Sequence, residues 1–525
     1  MSSISARQIH ALPRVAPRAE QPESGVQLVA GGSGESMAIA LLATMLITLG
    51  FLISYENCRQ WYVIPATVCG MLAGTDIVQW MRRRLDTFDP KAILAMMMFH
   101  NTYISPLLHE AWATHTKEWS EVVEWGPWYG TYCIWSAIGL VCYQFGHRLT
   151  FKAAKPARTH WVINPNRFAT IIMWALAISS IAAAVVLLKF GGLKKAGKSE
   201  LLATGEGLQH TSWLLMLGDT LPMLIAIAII NALTDKRRKR SFGAQMGILA
   251  ALAVGQFMLL GLRGSRSAVM SVLFITTGMA HYRLRRIHPG WAISGMIVLF
   301  VFAYFYGFYK RAGMAGFAAL QSADARHHLE RTTGNTMATT ILGDLSRCEM
   351  QSFIMYRLTN FPDRYDFRLG KTYFRAAVSF IPRAIWYNKP PGKNEAGTAI
   401  QYGEGRWKGR DFESTRVYGL AGEAMLNFGF FGIPPAFFIY GCFLGLYRKK
   451  WSTWRSDDSR YFIAPILVLF FLTGYFGDSD NAMFEILKNG SLPILVIMVS
   501  SSRFRLPEPL APNVARALAM SSKTA

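Results

Sequence analysis

Residues 221–240 read LPMLIAIAIINALTDKRRKR. The run carries no charge up to Thr234, and five consecutive basic side chains, Lys236 to Arg240, then follow Asp235. A helix that leaves the hydrocarbon core of a bilayer ends this way, apolar up to the interface and basic beyond it. Extended upstream to residue 211, the run exceeds the roughly 20 apolar residues that a bilayer crossing requires.

The pattern recurs along the chain. Twelve stretches read as candidate spans: 37–54, 60–81, 91–109, 127–146, 168–189, 211–233, 243–262, 266–281, 291–309, 421–447, 460–476 and 490–502. Basic residues gather in every second loop. They are Arg82 to Arg84 with Lys91; Arg148, Lys152, Lys155 and Arg158; Lys236 to Arg240; Arg283, Arg285 and Arg286; and Arg448, Lys449, Lys450, Arg455 and Arg460. Short loops rich in Lys and Arg stay in the cytoplasm, which places both termini there. Trp61, Trp80, Trp128, Trp161, Trp213 and Trp291 stand at span ends as interfacial anchors.

Composition agrees. Of 525 residues 52% are hydrophobic and only 17% charged, against about 25% charged in soluble chains. This excludes a disordered chain and argues against a string of soluble domains. The formal net charge of +23 is largely explained by the orienting loops, so nucleic acid is not an expected partner. The six cysteines have neither disulfide nor zinc spacing.

The expected fold is an all-α polytopic membrane protein of about 12 transmembrane helices. Residues 1–36 read as a flexible cytoplasmic tail without a signal peptide. Residues 37–309 carry nine spans, 310–416 form one large outer loop, 417–502 carry three spans, and 503–525 are a second tail. Glu118, Glu121 and Glu124 alternate with apolar residues and suggest a short amphipathic helix on the outer surface.

The loop 310–416 holds seventeen basic residues against ten acidic ones, and twelve of the basic ones are Arg, including Arg347, Arg375, Arg383 and Arg416. A loop this long is more often a binding element than a connection. Arg offers phosphate a planar fork of charge-assisted bonds. An anionic ligand on the outer face is one reading; lipid headgroups or the loop's own acids are the other.

Polar groups near membrane depth are costly and mark candidate sites. Arg263 and Arg266 share a tight turn (GLRGSRSA) with no obvious acidic partner, snorkelling being the alternative. Asp219 lies within the sixth span, where pairing with an Arg such as Arg266 would be structural. Glu423 enters the tenth span, and Asp478 and Asp480 (GDSDN) close the eleventh, where they are also ordinary turn residues. Asp76, close to the inner face near Arg82 and Arg83, reads as structural. His327 and His328 form a pair without a third ligand, and His100, His109 and His115 have no metal spacing. No metal and no cofactor are therefore expected.

Four segments, in order, carry a resemblance. They are Gly264 to Ser267 (GSRS), Leu369 to Tyr373 (LGKTY), Phe380 to Pro390 (FIPRAIWYNKP) and Gly422 to Gly432 (GEAMLNFGFFG). Over roughly residues 255–450 the chain resembles the O-antigen polymerase (Wzy-type) family of bacterial inner-membrane proteins. The resemblance implies a GT-C-like helical glycosyltransferase that uses no nucleotide sugar. Such an enzyme joins oligosaccharide repeat units carried on undecaprenyl pyrophosphate at the outer leaflet, beside a flippase and in some systems a chain-length regulator. The Arg-x10-Gly spacing discussed for some members is absent from 310–416.

In that reaction Arg263, Arg266, Arg383, Lys389 and Arg416 would stabilise the pyrophosphate leaving group. Glu423, then Asp219, Asp478 and Asp480, would orient or deprotonate the attacking hydroxyl. Trp386, Tyr387 and Trp407 would stack on sugars or anchor the interface. An O-antigen ligase acting through His327 or His328, a transporter or flippase of lipid-linked sugars, and a membrane acyltransferase remain the rivals.

Overall fold

The computed structural model describes residues 33–116, 119–151, 159–189, 212–234, 241–260, 266–313, 316, 321–381, 385–386, 389–390, 392–406 and 416–505. The chain is mostly helical. The helices are α1 Ser33–Ser54, α2 Val63–Met81, α3 Pro90–Phe99, α4 Ser105–Ala111, α5 Gly126–Thr150, α6 Pro165–Lys189, α7 Ser212–Asp219, α8 Leu221–Leu233, α9 Phe242–Leu260, α10 Arg266–Arg283 and α11 Pro289–Ala312. After them come α12 Ala323–Thr333, α13 Cys348–Asn360, α14 Lys371–Ala377, α15 Lys393–Tyr402, α16 Gly419–Phe428, α17 Ile433–Trp451, α18 Ala464–Phe476 and α19 Ser479–Ser500.

Eight helical segments among the described residues are long and apolar enough to cross a membrane: Gly34–Ser54, Val63–Met81, Pro165–Val186, Met216–Leu233, Phe242–Leu260, Pro289–Lys310, Phe430–Trp451 and Ser479–Ser500. The chain is a helical membrane protein. The spans expected at 91–109, 127–146, 266–281 and 460–476 are also helical, as α3–α4 joined through a π-helical turn, α5, α10 and α18. Each is too short or too polar to stand among the eight.

Close backbone approach sets the packing of α5 on α17. A Cβ at Gly441 would collide with the Tyr143 carbonyl oxygen, and one at Gly146 with the Phe438 carbonyl oxygen. Gly445 faces Thr150 Oγ1 in the same way. Association between apolar helices in lipid depends on such van der Waals fit, because lipid tails are as apolar as the helices themselves. The result is one core that includes Tyr132, Tyr143, Phe437, Tyr440 and Leu444. A second core joins α6, α8, α10, α18 and α19 through residues such as Ile172, Ile227, Val272, Ile466 and Ile497.

The basic loops after α2, α10 and α17 meet at one end of the bundle. Arg448 donates from Nε to Asp89 Oδ1 at 2.8 Å and from Nη2 to Oδ2 at 2.5 Å, with both residues buried. The same carboxylate caps the start of α3 through Lys91 N at 2.9 Å. Asp86 accepts from Arg286 at 2.7 Å and pairs with His281 at 3.0 Å. Removing one partner of a pair like Arg448–Asp89 leaves a buried charge alone, at a cost of about 3–5 kcal/mol.

Several expectations are corrected. Residues 503–505, read as the start of a tail, are instead part of Ser501–Arg505 (β2), which pairs antiparallel with Thr159–Ile163 (β1); the ladder satisfies both backbones, and Arg503 stacks on Trp161 at 4.3 Å. Residues 33–36, also read as tail, belong to α1. No amphipathic helix forms over the described residues 119–125; Trp119, Val122 and Trp125 are buried and join the core instead. Asp76, read as structural, pairs with Lys91 at 2.6 Å. The span expected at 421–447 breaks at Gly429, whose φ of +66° suits a residue without a side chain. The membrane-length helix starts at Phe430.

Overpacking a filled helix contact costs about 1–3 kcal/mol. Gly441→Leu is therefore expected to lower the melting temperature of the purified protein by several degrees. Gly247→Leu, in α9 where a Cβ meets nothing within 4 Å, leaves it unchanged. Equal melting temperatures for the two variants would refute the close α5–α17 fit.

Candidate functional site

At the end of the bundle away from the basic loops, two of the four quoted segments fold against each other. Leu369 N donates to Asn427 O at 3.1 Å, and Gly370 N to Asn427 Oδ1 at 2.8 Å. Asn427 Nδ2 in turn donates to Thr372 Oγ1 at 2.7 Å. Asn427 is fully buried, so its amide acts as a clamp between the start of α14 and the end of α16.

Glu423 lies one turn before Asn427 and is 2% exposed. Its Oε1 accepts from Thr372 Oγ1 at 2.8 Å and from Ser479 Oγ at 2.5 Å, and Oε2 accepts from Ser479 N at 2.7 Å. Asp478, fully buried, is the neighbouring acid. Its Oδ1 accepts from Tyr418 N at 2.9 Å and Gly419 N at 3.1 Å, and Oδ2 from Lys393 Nζ at 2.5 Å and Asn481 Nδ2 at 3.3 Å. Asp480 stands beside Gly392 and the side chains of Lys393 and Arg375. Burial, and then the Asp478 charge, raise the Glu423 carboxyl from the ordinary 4.5 to about 7 against the pull of its hydrogen bonds to Ser479 and Thr372.

A cleft of about 550 Å³ opens beside this cluster. Its walls include Trp119, Asp344, Arg347, Glu349, Gln401, Tyr402 and Arg416. Arg347 links the two. Its Nε donates to Phe476 O at 3.2 Å and its Nη1 to Ser346 O at 2.7 Å, while the guanidinium lies 4.0 Å from the Phe476 ring centroid. Burial pulls its pKa down to about 10, opposed by Asp478 and Asp344, which leaves a cation at neutral pH. Arg416 lies over Trp119 at 4.5 Å. Arg266 pairs with Asp344 on the cleft wall, which supplies the acidic partner that sequence did not show. Burial raises Glu349, opposed by Thr116 and Arg416.

The candidates thus fall into groups. Glu423, Asp478, Asp480 and Arg375 share the buried cluster, and Arg347 and Arg416 line the cleft, with Arg266 behind Asp344. Asp219 is elsewhere: its partner is Lys488 on α19 at 3.0 Å, not Arg266. Lys389 donates to the carbonyl oxygens of Val378 at 2.9 Å and Ile381, closing the turn after α14. Trp386 packs edge-on against Phe374. His327 pairs with Glu330 at 3.1 Å on an exposed face of α12. Arg263, Arg383, Tyr387 and Trp407 lie outside the described residues.

Sequence reasoning missed Thr372, Asn427, Lys393 and Glu349. The first two sit inside quoted segments and were available as signals; Lys393 and Glu349 become visible only through long-range pairing. No protein-family model, curated protein or solved structure matches the chain.

The raised Glu423 acidity has a stability consequence. The unfolded chain releases this proton near 4.5 and the folded chain near 7, so folding takes up a proton between these values. The contribution is full below pH 4.5 and is lost as pH rises through 7. The melting temperature of wild type is expected to fall more steeply from pH 5 to 7.5 than that of Glu423→Gln. Parallel curves would contradict the assignment.

Proposed function

We propose that the protein polymerises oligosaccharide repeat units carried on undecaprenyl pyrophosphate, at the outer leaflet of a bacterial inner membrane. The carrying observation is convergence. The LGKTY and GEAMLNFG segments clamp one another, and the arginine of the GSRS turn reaches the cleft through Asp344. Two segments far apart in sequence hold the carboxylate cluster, and the arginine of a third meets a residue of the cleft wall. In this reading the twelve helical stretches form a GT-C-like bundle, both termini are cytoplasmic, and the cleft faces the side opposite the basic loops.

The reaction moves a growing glycan from its lipid pyrophosphate to the terminal hydroxyl of a new lipid-linked unit. The bond between the anomeric carbon and the pyrophosphate oxygen breaks, and a bond from that carbon to the acceptor oxygen forms. The departing lipid pyrophosphate gains charge, which Arg347 and Arg416, with Arg266 behind Asp344, are placed to offset. Fixed cations in a site that excludes water are worth far more than the same charges in water. The acceptor hydroxyl loses a proton. Glu423, poised near neutrality, takes it up through the Ser479 or Thr372 hydroxyl. Tyr402, exposed on the cleft wall, offers a flat apolar face to a sugar ring. Asp219, within the bundle, is given no part in the chemistry.

The test is purified protein with a lipid-pyrophosphate-linked repeat unit and no nucleotide sugar. A ladder of longer lipid-linked glycans is expected. Arg266→Ala and Glu423→Gln, at equal folded protein, are expected to reduce chain growth by about 100-fold or more, the scale of losing one transition-state charge partner. Movement of the unit across a vesicle membrane without new glycosidic bonds would instead make the protein a transporter. Transfer to lipid A-core would make it a ligase.

A further inference from the structure

A second constellation lies on the cleft wall and takes no part in the proposed transfer. His109, near the end of α4, His115, in the following loop, and Glu349, in the first turn of α13, approach one another. One ring nitrogen from each histidine and one carboxylate oxygen lie mutually within 4.8 Å. The sequence gives no hint of this, because Glu349 is over 230 residues from the histidines.

The chemistry of each donor is set by its surroundings. His109 is 1% exposed. Its Nδ1 lies 2.7 Å from Thr114 O, and a carbonyl oxygen can only accept, so that nitrogen carries the proton. The Nε2 atom therefore holds a lone pair. It is buried and has no hydrogen-bond partner among the described residues. A carbonyl that fixes one imidazole nitrogen so that the other can bind is the usual support of a metal-ligating histidine.

His115 Nδ1 contacts Tyr129 Oη at 3.2 Å. Its ring stacks on Trp125 at 5.2 Å with an interplanar angle of 3°. Glu349 is aimed by Thr116, which donates from its backbone N–H and, at 2.8 Å, from its hydroxyl. Ring packing accounts for the stacked histidines. It does not account for a buried ring nitrogen left without a partner beside a buried carboxylate.

We infer that His109, His115 and Glu349 form a binding site for one divalent transition-metal ion, of zinc type, with its remaining coordination position open to the cleft. Two imidazoles and one carboxylate match the borderline-soft preference of such ions. Metal–ligand distances near 2.0–2.2 Å place ligand atoms roughly 3.3 Å apart. Binding would draw the three donors, now within 4.8 Å of one another, in to that spacing by side-chain rotation. Thr116 and Glu349 both line the cleft, so the fourth position admits water or an oxygen of a bound ligand. The inference stands whether or not the cleft polymerises glycans.

The experiment uses the full-length chain in detergent, stripped with chelator and titrated with Zn²⁺ by calorimetry, with metal content read by mass spectrometry. One ion per chain is expected. Glu349→Gln keeps an oxygen for the Thr116 donors, and His115→Ala removes a partly exposed ring. Each is expected to weaken binding by at least about 100-fold while the melting transition stays cooperative. His328→Ala, on the exposed face of α12, is expected to bind as wild type does. Folded wild type that takes up no stoichiometric zinc would overturn the site. So would His115→Ala and Glu349→Gln variants that bind with wild-type affinity.

Discussion

The Asp478 carboxylate, sealed from solvent between α18 and α19, is the interaction on which the candidate site depends. One oxygen holds two successive backbone N–H groups at the start of α16, and the other holds Lys393 at the start of α15. A buried carboxylate is tolerable only when its lone pairs are filled, and here four donors from three segments fill them. The entry of the loop into α16 is thereby fixed, and with it the height of Glu423 one turn further on. Burial, with the Asp478 charge added to it, raises the Glu423 carboxyl to about 7. Asp478 thus fixes the position of its neighbour and adds to the shift in its acidity.

Around this anchor the molecule divides its charges by task. At one end, Arg448, Arg286 and Lys91 are spent on Asp89, Asp86 and Asp76, so basic loops that sequence assigns to topology also lock helices together. At the other end, Arg347 faces backbone oxygens and Phe476, and Arg416 covers Trp119. Arg347 is held by carbonyl dipoles and an aromatic face, with Asp478 and Asp344 near enough to support its charge. Arg266 is intermediate, because Asp344 already neutralises it and must yield or share if Arg266 is to meet a pyrophosphate.

The helical membrane class is legible from stretches such as 221–240, because the bilayer imposes length and charge rules on each segment separately. The helix at 421–447 shows where this fails: its hydropathy runs straight through Gly429, whose left-handed backbone divides it. Glu423 was legible as a carboxylate out of place, but its partners Thr372 and Ser479 lie 51 and 56 residues away. Asp219 was legible as a buried charge, yet Lys488, its partner, sits in an apolar stretch that composition had made unremarkable. Asn427 and Thr372 lie 55 residues apart in separate segments, and only the fold brings them into hydrogen-bond contact. His109, His115 and Glu349 were illegible as a set, since nothing in the chain announces a contact over such a distance.

The central claim is that the cleft lengthens lipid-linked glycans. Its most direct test is the length distribution of surface and lipid-linked glycans in a cell that lacks this protein but keeps the rest of its assembly machinery. The account predicts single repeat units where the parent cell makes polymer, restored to full ladders by the wild-type chain. Full-length polymer accumulating on its lipid carrier in the deletion strain would contradict it, because chain growth would then be the work of another protein.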